Sequence, residues 1–198
     1  MDKKEIKFRT LRPDEIECRI GVSKATGLSL LLYKDARCDR KILNESGVKW
    51  QRHHTRDNAN CIVSIWDWEL SQWLEREDVG TESNTEKEKG LASDSFKRAC
   101  FNWGIGEELY TAPFIWLTPD KYKQVTRNGK PTTDDRFKVA SIEYDELRNI
   151  TKLSIVNTST KQIVFSRGYE NDKQTIEAIK DASARRQEII EALKNKES

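Results

Sequence analysis

Lys97 and Arg98 are adjacent cations in a segment that reads as a helix from about Glu86 to Trp103. At about 100° per residue, Ala92, Phe96, Ala99, Cys100 and Trp103 share one narrow face, while Asp94, Lys97, Arg98 and Phe101 share the opposite one. An apolar face laid on a sheet would leave the two cations on a rigid support, where they could hold a phosphate backbone. The same spacing also fits a solvated face on which Asp94 pairs with Lys97 or Arg98. Charge elsewhere is unevenly spread, although the net charge is only +2. From Lys34 to Arg56 there are seven Lys/Arg (34, 37, 40, 41, 49, 52 and 56) against three acids, and from Lys121 to Lys138 six against two. Between them, Asp67 to Asp94 holds nine acids and three bases. That alternation suits a polyanion on one face and a complementary neighbour on another, or an ordinary mixed surface.

Other chemistries are poorly supplied. Gly129-Lys130 lacks the upstream glycine of a phosphate-binding loop and is followed by Pro131 rather than Ser or Thr, so ATP is not expected; no dinucleotide fingerprint is present. His53 and His54 are strand neighbours pointing to opposite faces, which suits a surface role better than a shared metal ion. Asp67, Glu69, Glu75, Glu77 and Asp78 could gather on adjacent strands around Mg²⁺ as in a two-metal nuclease, or simply coat solvated strands or a subunit contact. No lysine stands beside them in a nuclease-like spacing. Trp66, Trp68 and Trp73 read as core or interface anchors, with base stacking as the alternative. Cys18, Cys38, Cys61 and Cys100 are far apart, with no Cys-x-x-Cys, which argues against a zinc ribbon or redox motif. No metal and no cofactor are expected. MDKKEIKF has no apolar signal core, and no run approaches about 18 apolar residues, so the expectation is a cytosolic protein with reduced thiols and no membrane partner.

The periodicities supply the elements. Leu11 to Ile20 fits either a short helix opening at Pro13 or an edge strand. Leu28 to Tyr33 reads as a buried strand and Asp35 to Ser46 as a helix closed by Gly47, with Arg37, Arg40 and Lys41 on or beside it. Val48 to Thr55, Cys61 to Glu69 and Trp73 to Val79 form an antiparallel meander. In it Val48, Trp50 and Arg52 oppose Lys49, Gln51 and His53, and Ile62, Trp66 and Trp68 oppose Cys61, Val63 and Ile65. Pro113 and Pro119 bracket a short strand or turn, Phe114 to Leu117. Thr118 to Asp135 reads as a long, polar, basic loop with a turn at Asn128-Gly129-Lys130-Pro131. Phe137 to Tyr144 is a strand, Asn149 to Asn157 and Gln162 to Arg167 a hairpin, and Asn171 to about Lys196 a final helix. The predicted fold is α+β: an antiparallel β-meander crossed by a long helix (a β-β-β-α core, about 28–110), an additional C-terminal hairpin region, and a terminal helix. One domain spans 1–168, with the helix at 169–198.

The wording of this core resembles the Rad fifty-two superfamily of single-strand annealing proteins, closest to its phage and prophage (Sak-type) branch. The matching pieces are Asp78-Val79-Gly80, Glu88-Lys89-Gly90, Ser93-Asp94-Ser95-Phe96-Lys97-Arg98-Ala99 and Trp103-Gly104-Ile105-Gly106. The resemblance runs from about Leu11 to Pro113. It implies a non-enzymatic, ATP-independent protein that binds single-stranded DNA, holding its phosphates in a basic groove between the meander and the Glu86 to Trp103 helix, and anneals complementary strands in recombination and repair. It implies a homo-oligomer, ring or helical filament, working in the bacterial or phage-infected cytosol. A host or phage single-strand-binding protein or exonuclease is a compatible partner. The family's helix-borne Lys-Arg pair falls on Lys97 and Arg98, and an arginine near the start of the earlier helix falls on Arg37. Lys49, Arg52 and Arg56 join the candidate nucleic-acid site from their charge on the adjoining strand and turn. A metal-dependent nuclease using the acidic strands, or a protein-interaction module built on the terminal helix, are the competing readings. Annealing in EDTA, Mg²⁺-dependent cutting, or neither separates the three.

Overall fold

The structure, a computed structural model, describes residues 6–81 and 87–169, with the side chains of 82–89 outside that description. The helix predicted from Asn171 therefore lies outside the described residues. In chain order the elements are β1 (Glu17–Lys24), β2 (Gly27–Tyr33), α1 (Ala36–Glu45), β3 (Trp50–Thr55), β4 (Asn60–Asp67), β5 (Gln72–Val79), α2 (Lys87–Phe101), β6 (Ile115–Leu117), β7 (Gln124–Arg127), β8 (Lys130–Thr133), β9 (Phe137–Tyr144), β10 (Ile150–Asn157) and β11 (Ile163–Arg167), with short 3-10 turns at Pro13–Glu15, Glu107–Thr111 and Pro119–Lys121. The chain is α+β, and every strand pair among the described residues is antiparallel. It divides into two compact units, one of residues up to 11 with 34–107, the other of 12–33 with the chain from 108.

The first unit holds α1, the sheet β3-β4-β5 and α2. Asp35 caps α1 by accepting the Cys38 N–H at 2.8 Å, and Cys38, Ile42 and Leu43 form its buried stripe. In the sheet Trp50, Arg52 and His54 pair with Ile65, Val63 and Cys61, which pair onward with Leu74, Arg76 and Asp78. This face meets α2: Cys61, Val63, Ile65, Phe96, Ala99 and Cys100 are fully buried, Trp50 stacks on Phe96, and the Trp103 indole donates to the Val63 carbonyl at 3.0 Å. Two glycines make this packing feasible. A Cβ on Gly80 would lie 2.5 Å from the Leu91 carbonyl oxygen and 2.6 Å from the Ser95 nitrogen, so only glycine lets the end of β5 cross against the helix backbone. Gly106, at φ +80°, makes room for the Lys34 side chain, beside which Ile105 is fully buried.

The second unit is built on a six-stranded sheet in the order β11-β10-β9-β1-β2-β6, with a separate β7-β8 hairpin. The sheet exceeds what the sequence reading offered for this part of the chain. Leu11 to Ile20 resolves into a 3-10 turn and then strand, and β1 pairs along β2. The segment Thr118 to Asp135, expected as a loop, is a β-hairpin. Asn128 (φ 52°) and Gly129 (φ 72°) take the left-handed conformations of a tight two-residue turn, and Asp135 ties the base by accepting from the Lys123 N–H at 2.9 Å and the Asn157 carboxamide at 2.8 Å. Glu108, buried, pairs with Arg148 at 2.7 Å and anchors the β9–β10 turn.

Candidate nucleic-acid interface

Lys97 and Arg98 sit one step apart on α2, so they diverge by about 100° around the helix axis. Each is held by a carboxylate. Lys97 pairs with Asp94 at 3.1 Å and is 22% exposed; Arg98 pairs with Asp78 at 3.0 Å and is 50% exposed. Asp94 also accepts the Thr81 N–H and hydroxyl, both at 3.0 Å, which fixes the exit from β5 onto the helix. Burial pushes the Asp94 carboxyl up, but the Thr81 and Lys97 contacts outweigh it and hold the carboxyl below its ordinary value. Asn102 donates to the Asp78 carboxylate at 3.1 Å, so Arg98 and Asn102 share one acceptor at the end of β5. Of the two arrangements the sequence allowed for Asp94, the structure has the Asp94–Lys97 pair.

Arg37 stands in the first turn of α1, 84% exposed, with its guanidinium 2.8 Å from Asp35. Arg52 lies on the α2 side of the sheet, its guanidinium 4.3 Å above the Phe96 ring. Arg56 is exposed in the β3–β4 turn, where Arg56, Asp57 and Asn58 take φ of 50°, 52° and 70° in succession. Three non-glycine residues in the left-handed region form a strained run. The Asn58 carbonyl accepts the buried Ser95 hydroxyl at 3.1 Å, which ties this turn to α2. Lys49 lies elsewhere. It is on the sheet face turned away from α2, its ammonium over the rings of Trp66, Trp73 and Trp68. Phe96, Ala99 and Cys100 are fully buried between sheet and helix, so the helix-side cations line the rim of that packing.

Two further features refine the charge pattern. Lys34, one of the seven cations of the 34–56 run, is not a surface charge: it is buried against the equally buried Asp39 of α1, and its ammonium also reaches the Lys97 carbonyl at 3.5 Å. Burial raises the Asp39 carboxyl to about 6, opposed by Lys34 and then by Lys97. Sequence alone counted Lys34 with its exposed neighbours; an acid five residues on, Asp39, was the available signal. His54 faces Ser95 at 3.4 Å, and burial followed by the Arg52 charge lowers its pKa; His53 pairs with Ile62 on the other face.

The acidic strand residues split the same way. Asp78 faces α2, while Glu75 accepts the Ser64 hydroxyl at 3.1 Å and Glu77 the Asn60 carboxamide at 2.5 Å on the far face. Among the described residues, no three His, Cys, Asp or Glu side chains converge as a metal-binding group. Cys38, Cys61 and Cys100 are buried, and burial pushes the Cys61 thiol up to about 11. No described helix is long and apolar enough to cross a membrane. Comparison of the chain with protein-family models, with characterised proteins and with solved structures finds no match.

Proposed function

We propose that this protein binds single-stranded DNA and anneals complementary strands without ATP, as a homo-oligomer whose subunits hold phosphates on the rim formed by α2, the start of α1 and the β3–β4 turn. The observation that carries the reading is the way Lys97 and Arg98 are mounted. They stand on a helix locked to a sheet by Gly80, Ser95 and the buried Phe96–Cys100 face, each paired with an acid, with Arg98 the more exposed of the two. Surface pairs of this kind are worth about 0–1 kcal/mol, so a phosphate can replace the carboxylate at little cost. Release of counterions from the strand then supplies the driving force. Phosphates gripped from the protein side leave base edges free for a second strand. The protein does no bond chemistry; it lowers the electrostatic and entropic cost of bringing two polyanions together. The β-β-β-α order of β3, β4, β5 and α2, with the Asp78-Val79-Gly80 and Ser93 to Ala99 wording, supports the same reading through the family resemblance.

The test is strand annealing in EDTA without nucleotide, followed by light scattering with and without DNA. Annealing without cleavage, by large assemblies that weaken at high salt, is expected. Mg²⁺-dependent cutting, or a monomer that neither binds nor anneals, would replace this reading with the nuclease or the interaction module.

A further inference from the structure

We propose that Trp66, Trp68 and Trp73, gathered around Lys49 on the sheet face turned away from α2, form a base-stacking site for single-stranded nucleic acid. This rests on the reading that the chain binds single strands, but it uses none of the residues on α2. The Lys49 ammonium lies 5.1 Å from the centre of the Trp66 ring, 5.5 Å from that of Trp73 and 6.0 Å from that of Trp68. Trp66 stands edge-on to both other indoles, at 6.0 Å from Trp68 and 5.4 Å from Trp73. Ring quadrupoles attract the ammonium and keep the cation at a fixed place among the rings. The outermost ring is open: Trp68 is 74% exposed, and Leu70 on the same turn is 53% exposed. Tryptophan is highly buried on average, so an open indole beside a fixed cation calls for a ligand. The Trp66 indole N–H is buried without a hydrogen-bond partner, an unmet donor in the same cluster.

The chemistry points to a nucleotide strand. An open indole stacks any base, and an adjacent ammonium meets its phosphate. The bordering acids are largely engaged: Asp67 accepts the Glu69 and Leu70 N–H groups at 2.9 and 3.0 Å, and Glu75 accepts the Ser64 hydroxyl at 3.1 Å, leaving Glu69 as the exposed acid of the turn. Along β3 the same face continues as Gln51 and His53, both exposed polar groups. A nucleotide strand can follow such a polar track along β3.

The experiment compares a thymidine oligonucleotide with an abasic deoxyribose-phosphate strand of equal length. Four proteins are titrated: wild type, Trp68→Ala, Trp68→Phe and the Lys97→Ala/Arg98→Ala double variant. Wild type should prefer the thymidine strand. Trp68→Ala should lose roughly 5- to 100-fold in affinity for it and keep its affinity for the abasic strand. Trp68→Phe should recover most of the loss, and the double variant should weaken on both strands alike. Equal wild-type binding of the two strands overturns the proposal without any variant. Unchanged thymidine binding by Trp68→Ala, with the double variant weakened, overturns it and leaves the α2 reading standing. A Trp68→Ala protein that changes its oligomeric state but not its preference for bases makes the cluster a contact between copies, which also overturns it. Failure of wild type to bind either strand removes both ideas.

Discussion

Replacing Lys34 with methionine should destabilise the protein by about 3–5 kcal/mol near pH 8, the cost of leaving one member of a buried ion pair uncompensated. Lys34 and Asp39 are both buried, and the second Asp39 oxygen has no hydrogen-bond partner, so solvent offers the carboxylate little relief. For a chain of this size that loss lowers the melting temperature by roughly 6–20 °C. The pH dependence identifies the cause. Burial raises the Asp39 carboxyl from 3.8 to about 6. Its folded pKa exceeds its unfolded one, so the folded state binds the proton more tightly. The resulting stabilisation is present in acid and is lost as pH rises through about 6. Removing Lys34 removes the attraction that opposes burial, and the carboxyl moves further up. The cost of Lys34→Met should therefore be small at pH 5, where Asp39 is protonated in both proteins, and grow toward pH 8. Lys34→Met/Asp39→Leu, which removes both charges, should recover most of the loss. Urea unfolding at the two pH values provides the assay. A cost below about 1 kcal/mol at pH 8, or an equal cost at both, would refute the argument.

Other outcomes follow from the same geometry. Lys97→Ala/Arg98→Ala should weaken single-strand binding about equally for all sequences and reduce the salt slope by roughly 0.7 for each phosphate no longer neutralised, with little change in stability; titration at two salt concentrations reads both. Phe96→Ala, at the fully buried centre of the sheet–helix packing, should cost about 3–5 kcal/mol in denaturant unfolding. Gly80→Ala should cost about 1–3 kcal/mol or more, because the new methyl meets backbone at Leu91 and Ser95 that cannot step aside; a wild-type midpoint would show that β5 crosses α2 less closely.

The faces of the central elements were legible because burial there is one-sided. Period two separates Cys61, Val63 and Ile65 from Ile62 and Trp66, since a slip of one residue would send the whole apolar set to solvent. Period 3.6 did the same for Phe96, Ala99 and Cys100. The expected opposition of Arg52 and Lys49 across β3 is also what places them on opposite sides of the sheet. Where the pattern has no such asymmetry, the sequence leaves the element undecided. β1 is mostly exposed along its length, so the alternation of Ile16, Cys18 and Ile20 does not by itself decide between helix and strand for Leu11 to Ile20. β7 and β8 are four residues each and carry charge on exposed positions, so composition read them as loop although the Asn-Gly turn was visible. A charge count cannot see enclosure and so groups Lys34 with its exposed neighbours; Asp39, Gly106 and the Lys97 carbonyl close around it only in three dimensions.

Enclosure also decides what each remaining cation can offer a polyanion. A cation is available in proportion to its exposure and in inverse proportion to what already holds it. Lys97, 22% exposed, is paired with an acid that is itself tied to Thr81, so it yields least readily. Arg98, half exposed, shares Asp78 with Asn102, which can keep part of that carboxylate satisfied when the guanidinium turns to a phosphate. Arg37, 84% exposed, gives up only Asp35, whose carboxylate retains the Cys38 N–H at the start of α1. Arg52 is held by a ring rather than a carboxylate, and a guanidinium stacked on Phe96 keeps its edge free to donate while it stays in place. Single substitutions should therefore rank Arg37 and Arg98 above Lys97 in their effect on the salt slope, and Arg52→Lys should weaken binding because a lysine keeps the charge but loses the stacked fork.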